Sequence, residues 1–199
     1  LPEQNAVDNF LPPFNPEFRL DVDNPATFGI LATPDDYMEF KYEQQKAMEN
    51  SIAEIKKVNR EYSKKFGRVY GDGLIEVSND ADIALIASGS ICGTIKDAID
   101  EECCLIRIRS YRPFPSEELR KAVKGLRAVG VIDRAFSYGM GGQLYSEVKS
   151  IVDIPVKGFV AGLGGRDVTV DDVKDIVSKL KKMKGKKSRN DIYWVNLRK

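Results

Sequence analysis

Apolar residues between residues 34 and 66 recur every three to four positions, which is the spacing of a long helix. Thr33 can cap its start, Pro34 suits its first turn, and Gly67 suits the residue that ends it. A helix of about 30 residues would extend over roughly 45 Å. The pattern favours a brace that joins two domains over a coiled coil or a regulatory helix.

Residues 1–33 are rich in proline, asparagine, aspartate and aromatic residues and have no sustained helical or strand period. Their apolar content is too high for a disordered linker, because it includes Phe10, Leu11, Phe14, Phe18 and Leu20. We predict an ordered, irregular arm that packs on another surface. Since the chain starts at a leucine without an initiator methionine, we also expect it to begin inside a longer protein.

After residue 72 short apolar runs alternate with helical stretches, which indicates a parallel sheet wrapped by helices. The predicted strands are residues 74–77, 83–87, 103–108, 129–133 and 156–161. The predicted helices are residues 91–100, 116–124, 143–152 and 169–182, with Ser116 as the natural cap of the second. Residues 191–197 favour either a short edge strand or a docking tail.

The predicted fold class is α/β, a three-layer αβα arrangement around an open, mostly parallel sheet. The irregular arm and the long connecting helix precede it. The predicted segments are the arm at 1–33, the helix and a turn at 34–72, the α/β domain at 73–182 and a basic tail at 183–199.

The loops that follow the strands are the candidate functional edge, because ligands bind open α/β sheets at the carboxyl ends of the strands. These loops are residues 88–90, 109–115, 133–142 and 162–167. We select the residues there that offer fixed charge or backbone freedom as candidate interface or ligand contacts. They are Arg109, Arg112, Asp133, Arg134, Gly139, Gly141, Gly142, Gly164, Gly165, Arg166 and Asp167.

Several of these candidates have a purely structural alternative. Gly139–Gly142 precedes a predicted helix, as phosphate-binding loops do, but it matches neither GxGxxG nor GxxxxGK[ST], which favours a tight turn. Arg109 and Arg112 would engage either a carboxylate or phosphate ligand or a salt-bridge partner at a domain interface. Asp133 and Arg134 form either a buried ion pair or a contact to a partner subunit.

Gly71-Asp72-Gly73 has the form of the first part of a thiamine diphosphate motif. In that motif an asparagine about 25 to 30 residues later helps to hold Mg²⁺ through oxygen ligands. No Asn-Asn pair occurs near residue 100. The sequence therefore favours a turn before the first strand.

The composition limits the partners and the kinds of catalysis that are expected for this chain. It has 31 basic and 30 acidic residues, so a net charge of +1 does not favour nucleic acid or an anionic membrane as partner. It has no histidine, which excludes histidine-based catalysis and nearly all zinc catalysis within this chain. No apolar run approaches the roughly 20 residues that cross a bilayer. We expect a cytoplasmic protein with reduced, partly buried Cys92, Cys103 and Cys104.

Six motifs follow one another along the chain: VDNFLPPFNP, DNPATFGILATPDDYMEFKYEQQKAM, FGRVYG, RIRSYRPFP, VIDRAFSYGMGG and FVAGLGGRDVT. Together they resemble the second half of the alpha subunit of pyruvate:ferredoxin oxidoreductases, over most of the chain. The resemblance implies that the α/β domain is similar to the C-terminal domain of transketolases. It also implies that the arm and long helix lead out of a preceding pyrimidine-binding domain.

By this resemblance, the assembled enzyme cleaves a 2-oxoacid on thiamine diphosphate with Mg²⁺. It passes electrons through [4Fe-4S] clusters to ferredoxin and transfers the acyl group to coenzyme A. The implied partners are the beta, gamma and delta subunits. The resemblance places the catalytic, cofactor-binding and metal-ligating residues outside this chain, whose expected role is scaffolding.

One connection departs from the family pattern, because only four residues separate Asp100 from Leu105, where the family has a longer helix end and turn. Two alternatives to the pyruvate assignment stay open. The first is the same role in an enzyme for 2-oxoglutarate, a branched-chain 2-oxoacid or oxalate. The second is a free-standing nucleotide-binding module.

Overall fold

The structure is a computed structural model that describes residues 1–29, 31–183 and 192–198. The chain divides into two compact units, Leu1–Val69 and Tyr70–Lys199. No helix among the described residues is both long and apolar enough to span a membrane.

The first unit contains two helices, α1 (Gln4–Asp8) and α2 (Pro34–Phe66), joined by irregular chain. The short helix α1 was not predicted, because five residues are too few to show a helical period. Phe10 follows α1 and packs edge-on against Phe66 and Tyr62 of α2, with ring centroids 5.3 and 6.0 Å away. The arm is therefore ordered against the last turns of the long helix.

The start and end of α2 agree with the sequence prediction except for its side-chain cap. Pro34 occupies the first turn, and Gly67 ends the helix with φ of 65°, a conformation that favours glycine. Thr33 has the extended backbone of a capping residue. Its hydroxyl, however, donates to Asp36 Oδ2 at 3.2 Å instead of accepting from a helix amide, so the predicted side-chain cap is wrong.

The second unit is an open sheet of six strands in the order β1-β3-β2-β4-β5-β6. The strands are β1 (Ile75–Val77), β2 (Ile83–Ser88), β3 (Cys103–Ile108), β4 (Ala128–Asp133), β5 (Val156–Val160) and β6 (Ile192–Trp194). All neighbours pair in parallel except β1, which runs antiparallel to β3 at one edge. The predicted α/β fold with a mostly parallel sheet is confirmed, and so is the short edge strand near the carboxyl terminus.

Helices cover both faces of this sheet and give the predicted three layers. They are α3 (Ile91–Ala98), α4 (Ser116–Ala122), α5 (Gln143–Ile151) and α6 (Val170–Lys181). Apolar residues of α3 and α6 pack on one face, and those of α4 and α5 pack on the other. Residues of β2 alternate between the two cores, since Leu85 faces α3 and α6 while Ile86 faces the opposite layer.

The starts of α6 and α4 are capped differently. Thr169 caps α6 with a complete capping box, in which its hydroxyl accepts from the Asp172 amide and Asp172 accepts from the Thr169 amide. Ser116 was expected to cap α4, but Pro115 takes that position and Ser116 is already helical. The lysine-rich segment at 184–190 lies outside the described residues.

Candidate functional site

The sheet order places a switch point between β2 and β4. From β2 the chain crosses to β3 on one side, and it then returns to β4 on the other side. In open α/β sheets ligands bind in the crevice outside the strand ends at such a point. A cleft of about 260 Å³ lies there. It is lined by Ser88, Tyr111, Ile132, Asp133, Arg134, Ala135, Gln143 and Leu144.

Two further clefts adjoin this one along the carboxyl edge of the sheet. The second, of about 240 Å³, is lined by Ser90, Ile91, Thr94, Arg134, Gly165, Arg166, Asp167 and Val168. The third, of about 180 Å³, is lined by Val160, Ala161, Gly162, Leu163, Arg166, Trp194, Val195 and Leu197. Arg134 lines the first two clefts and Arg166 the last two, so the edge is one connected surface.

Asp133 ends β4 and is buried, with 6% of its surface exposed. Its carboxylate accepts hydrogen bonds from the backbone amides of Leu144 and Tyr145, both at 2.9 Å. Burial raises the pKa of Asp133, and the two amides act in the opposite direction. These amides open α5, so a protein carboxylate already occupies the place where a phosphate would bind at this helix start.

The loop from Gly139 to Gly142 is a tight turn. Ser137 and Gly141 form a β-bridge across it, and the Gly141 amide donates to Ser137 O at 3.0 Å. Gly139 and Gly141 have φ of 80° and 105°, which residues with a side chain rarely adopt. The tight turn and the position of Asp133 together explain why glycines occur in this loop. No phosphate ligand is needed to explain them.

Arg109 and Arg112, two of the predicted contact residues, form ion pairs within the unit. Arg109 donates to Glu76 at 2.8 Å and lies over the Tyr70 ring. Arg112 donates two hydrogen bonds to Glu147, at 2.9 and 2.7 Å. These bonds hold the pKa of Glu147 below its usual range. Both partners lie within the second unit, whereas the sequence analysis had offered a ligand or a salt-bridge partner at a domain interface.

Arg134 does not pair with Asp133. No hydrogen bond or ion pair joins its side chain to another residue within 1–29, 31–183 and 192–198. Its exposed guanidinium lies beside Gly162, where a Cβ would come within 2.9 Å of Arg134 Nε. Because residue 162 is a glycine, there is room beside it for the side chain of Arg134.

The remaining candidates lie in the turn after β5. Leu163–Gly165 forms a single 3₁₀ turn, in which Gly164 and Gly165 have φ of 64° and 82°. Arg166 follows and donates to the backbone carbonyl of Asn196. This bond ties the turn to the chain beyond β6, while Asp167 lines the second cleft.

Sequence reasoning missed several polar residues at this edge. Glu147 and Glu76 are the partners of two arginines but lie 35 and 33 positions from them along the chain. Tyr111 lies within a predicted loop and its hydroxyl donates to Glu147, while Gln143 lies beside a predicted loop and lines the first cleft. The sequence pattern indicated no partner for either residue. The strand-end rule pointed to the location of Tyr111 and Gln143, but not to that of the two glutamates.

The three cysteines are buried and free of disulfides. Burial raises the pKa of Cys103 to about 12 and also raises the pKa values of Cys92 and Cys104. No group of three or more potential metal-ligating side chains occurs in the part of the chain that the structure describes. At Gly71-Asp72-Gly73, the Asp72 side chain accepts from the Leu74 and Ile75 amides, as expected for a turn.

Comparison with known proteins gives the family. Residues 81–173 match the model described as pyruvate:ferredoxin oxidoreductase core domain II. The chain is 40% identical to pyruvate synthase subunit PorA of Methanothermobacter thermautotrophicus, over 100% of this chain and 52% of that protein. It is 42% identical to PorA of Methanosarcina barkeri, over 92% and 49% of the two chains. It is 40% identical to ketoisovalerate oxidoreductase subunit VorA of Pyrococcus horikoshii, over 98% and 53%.

The αβα domain is thus of the 2-oxoacid:ferredoxin oxidoreductase class. The chain belongs to the pyruvate:ferredoxin oxidoreductase family and corresponds to a region of its PorA-like alpha subunits. It spans about half the length of the curated relatives that it matches.

Proposed function

We propose that this chain is part of the alpha subunit of a pyruvate:ferredoxin oxidoreductase. Such an enzyme oxidatively decarboxylates pyruvate with coenzyme A and yields acetyl-CoA, CO₂ and reduced ferredoxin. The observation that carries the proposal is the 40% identity to a pyruvate synthase subunit PorA along the whole chain. The six ordered motifs lie within the same alignment.

Within that enzyme, the proposed role of the chain is structural. It stabilises and positions its partners and carries no catalytic, cofactor-binding or metal-ligating residue. Asp133, Arg109 and Arg112 support this role, because each bonds to another group of the second unit. Their charges therefore stabilise the fold of this unit. Thiamine diphosphate with Mg²⁺ and the [4Fe-4S] clusters are assigned to the rest of the enzyme.

The proposed partners are the beta, gamma and delta subunits or equivalent domains, and the proposed location is the cytoplasm. The relatives carry the word "subunit" in their names, which supports an assembly. Exposed apolar side chains of the first unit support it as well, since isolated domains rarely expose so many. These include Phe14, Leu20, Val22 and Leu31, each with about 90% or more of its surface exposed.

The second candidate is the same structural role in an enzyme for a branched-chain 2-oxoacid. It is favoured by the match to a ketoisovalerate oxidoreductase subunit at 40% identity, the same value as for the first PorA. In this proposal no residue of the chain lies in the substrate pocket. The choice between the two substrates therefore requires a measurement of activity with each of them.

The test is an anaerobic purification of the native protein with its partners from the source cell. Reduction of ferredoxin would be measured with coenzyme A and pyruvate, 2-ketoisovalerate, 2-oxoglutarate or oxalate. The fastest turnover with pyruvate is expected, and faster turnover with 2-ketoisovalerate would replace the first proposal by the second. A monomer that binds a nucleotide and has no partners would contradict both and favour the nucleotide-binding module.

A further inference from the structure

The first two clefts at the carboxyl edge meet at Arg134. One of them lies at the switch point between β2 and β4, the position where open α/β sheets bind ligands. Its walls include the apolar Ile132, Ala135 and Leu144, whereas hydroxyl and charged residues dominate the other. An apolar cleft joined to a polar one suits a small molecule that is charged at one end.

Arg134 differs from the other arginines at this edge. Arg109 and Arg112 are neutralised by glutamates, and Arg166 donates to a backbone carbonyl. Within residues 1–29, 31–183 and 192–198, the Arg134 side chain makes no hydrogen bond or ion pair, although Asp133 is its neighbour in sequence. The carboxylate of Asp133 is directed instead to the amides of α5. Arg134 thus keeps its donors available for an external acceptor.

The turn after β5 leaves room for the side chain of Arg134. Residue 162 has φ of 70° and its missing Cβ leaves room for Arg134 Nε. A planar guanidinium binds carboxylate or phosphate oxygens through paired hydrogen bonds. The hydroxyls of Ser90 and Thr94 line the same cleft and offer further donors.

Charge in the polar cleft favours an anion. Two arginines, Arg134 and Arg166, line it against one carboxylate, Asp167. In the adjoining cleft, Asp133 is bonded to two amides, which offset its charge, and Gln143 offers an uncharged amide. A negative group is therefore attracted to the polar side of Arg134, and the uncharged part of a ligand to the apolar side.

We propose that the crevice around Arg134 binds a small organic anion. Its phosphate or carboxylate group lies against Arg134 with the hydroxyls of Ser90 and Thr94. Its uncharged part lies in the switch-point cleft against Ile132, Ala135 and Leu144. The proposal concerns this chain alone and does not rest on the identity of the 2-oxoacid or on assembly with other subunits.

The test is an NMR titration of the complete isotope-labelled chain at constant ionic strength. The probes are inorganic phosphate, phenyl phosphate and benzoate. Saturable shifts of the Thr94 and Gly165 amides are expected with phosphate or with benzoate, and whichever binds more tightly identifies the charged group. The aromatic probe that carries this group should also shift the Ala135 and Leu144 amides.

Variants separate a built site from general attraction of anions. Arg134→Gln should raise the dissociation constant about tenfold or more, because it removes charge-assisted hydrogen bonds. Thr94→Val should raise it several-fold. Arg68→Gln removes the same charge from an exposed site in the first unit and should change it less than about twofold.

Three results would overturn the proposal. One is the absence of saturable shifts with all three probes, and another is unchanged affinity in Arg134→Gln. The third is an equal loss in Arg68→Gln, which would show that only net charge matters. Both arginines are exposed, so neither variant should unfold, and circular dichroism would check this. A negative titration with an active, assembled enzyme would leave the proposed function standing.

Discussion

The carboxylate of Asp133 occupies the space that a side chain at Gly142 would fill. A Cβ at residue 142 would overlap Asp133 Oδ2 and lie within contact of the rest of that side chain. Gly142 has φ of −63°, so its backbone does not require glycine. The glycine is required by the aspartate, which bonds to the first amides of α5 and joins that helix to the end of β4.

Gly142→Ala should therefore lower the free energy of unfolding by about 2 to 4 kcal/mol. The methyl group displaces a buried carboxylate from its two amide donors, which leaves charged and polar groups unsatisfied. Urea unfolding followed by circular dichroism would measure the loss.

Gly93→Ala is the matched control for this substitution. Gly93 lies inside α3, and no atom other than those of its chain neighbours and the helix's own backbone would come within 4 Å of its added Cβ. Alanine is a better helix former than glycine, so stability should stay equal or rise by about 1 kcal/mol. A loss in Gly142→Ala no larger than in the control would refute the role of Asp133.

The ion pair of Arg112 with Glu147 predicts a pH dependence. Hydrogen bonds from Arg112 lower the pKa of Glu147 in the folded state, so the pair stabilises the fold above the unfolded pKa, near 4.5. This stabilisation decreases as the pH falls below that value and is lost as the pH falls through the lower pKa of the folded state. Glu147→Gln should cost up to about 1 kcal/mol at pH 7, since the pair is partly exposed, and progressively less as the pH falls below 4.5.

Urea unfolding at several pH values would follow this difference between wild type and variant. Glu117→Gln, which replaces an exposed glutamate on α4, is the control, and its difference from wild type should change little over the same pH range. A constant difference between Glu147→Gln and wild type across the range would show that the ion pair contributes no pH-dependent stability.

The elements of this fold were predictable from sequence where local signals mark them. Pro34 and Gly67 correctly marked the start and the end of α2. The fixed φ of proline and the left-handed conformation of glycine act on the backbone directly. Thr169, followed three residues later by Asp172, marked α6 in the same way. The short α1 has no comparable signal, so it was not predicted.

The contacts of the candidate site were less predictable, because they join distant parts of the chain. Asp133 was selected, but its partners are amides on the far side of the glycine turn. Glu147 was not selected, since its position on a helix face gave no sign of Arg112. The strand-end rule indicated the edge of the sheet correctly, and the partner of each charge followed only from the three-dimensional structure.

The buried cysteines predict slow reaction with thiol reagents. The pKa of Cys103 is raised to about 12, and Cys92 and Cys104 are also shifted upward by burial, so thiolate is scarce at pH 8. Alkylation with iodoacetamide followed by mass spectrometry should modify none of the three in minutes, and all three in guanidinium chloride. An Asp171→Cys variant, exposed on α6, should be modified at once. Rapid modification of the native protein would contradict the burial.

The apolar face of α2 predicts where partners bind, if the proposed role in assembly holds. Tyr62 and Phe66 on this face pack against Phe10. Tyr37 and Met48 are eleven residues apart and continue the same face at 100° per residue, but they are 53% and 41% exposed. Met38 and Tyr42 are exposed elsewhere around the helix. One exposed tyrosine and one exposed methionine thus lie on the apolar face of α2, and another of each lies off it.

Tyr37→Ser with Met48→Ser should reduce recovery of the assembled enzyme at least about tenfold, because buried aromatic and methionine side chains dominate such interfaces. The stability of the chain itself should change by less than about 0.5 kcal/mol, since neither residue is buried within it. Met38→Ser with Tyr42→Ser is the control of identical composition and should assemble normally. Co-purification of the partner subunits would measure both variants. Equal recovery of the two would show that this face of α2 is not the interface, whatever else holds the enzyme together.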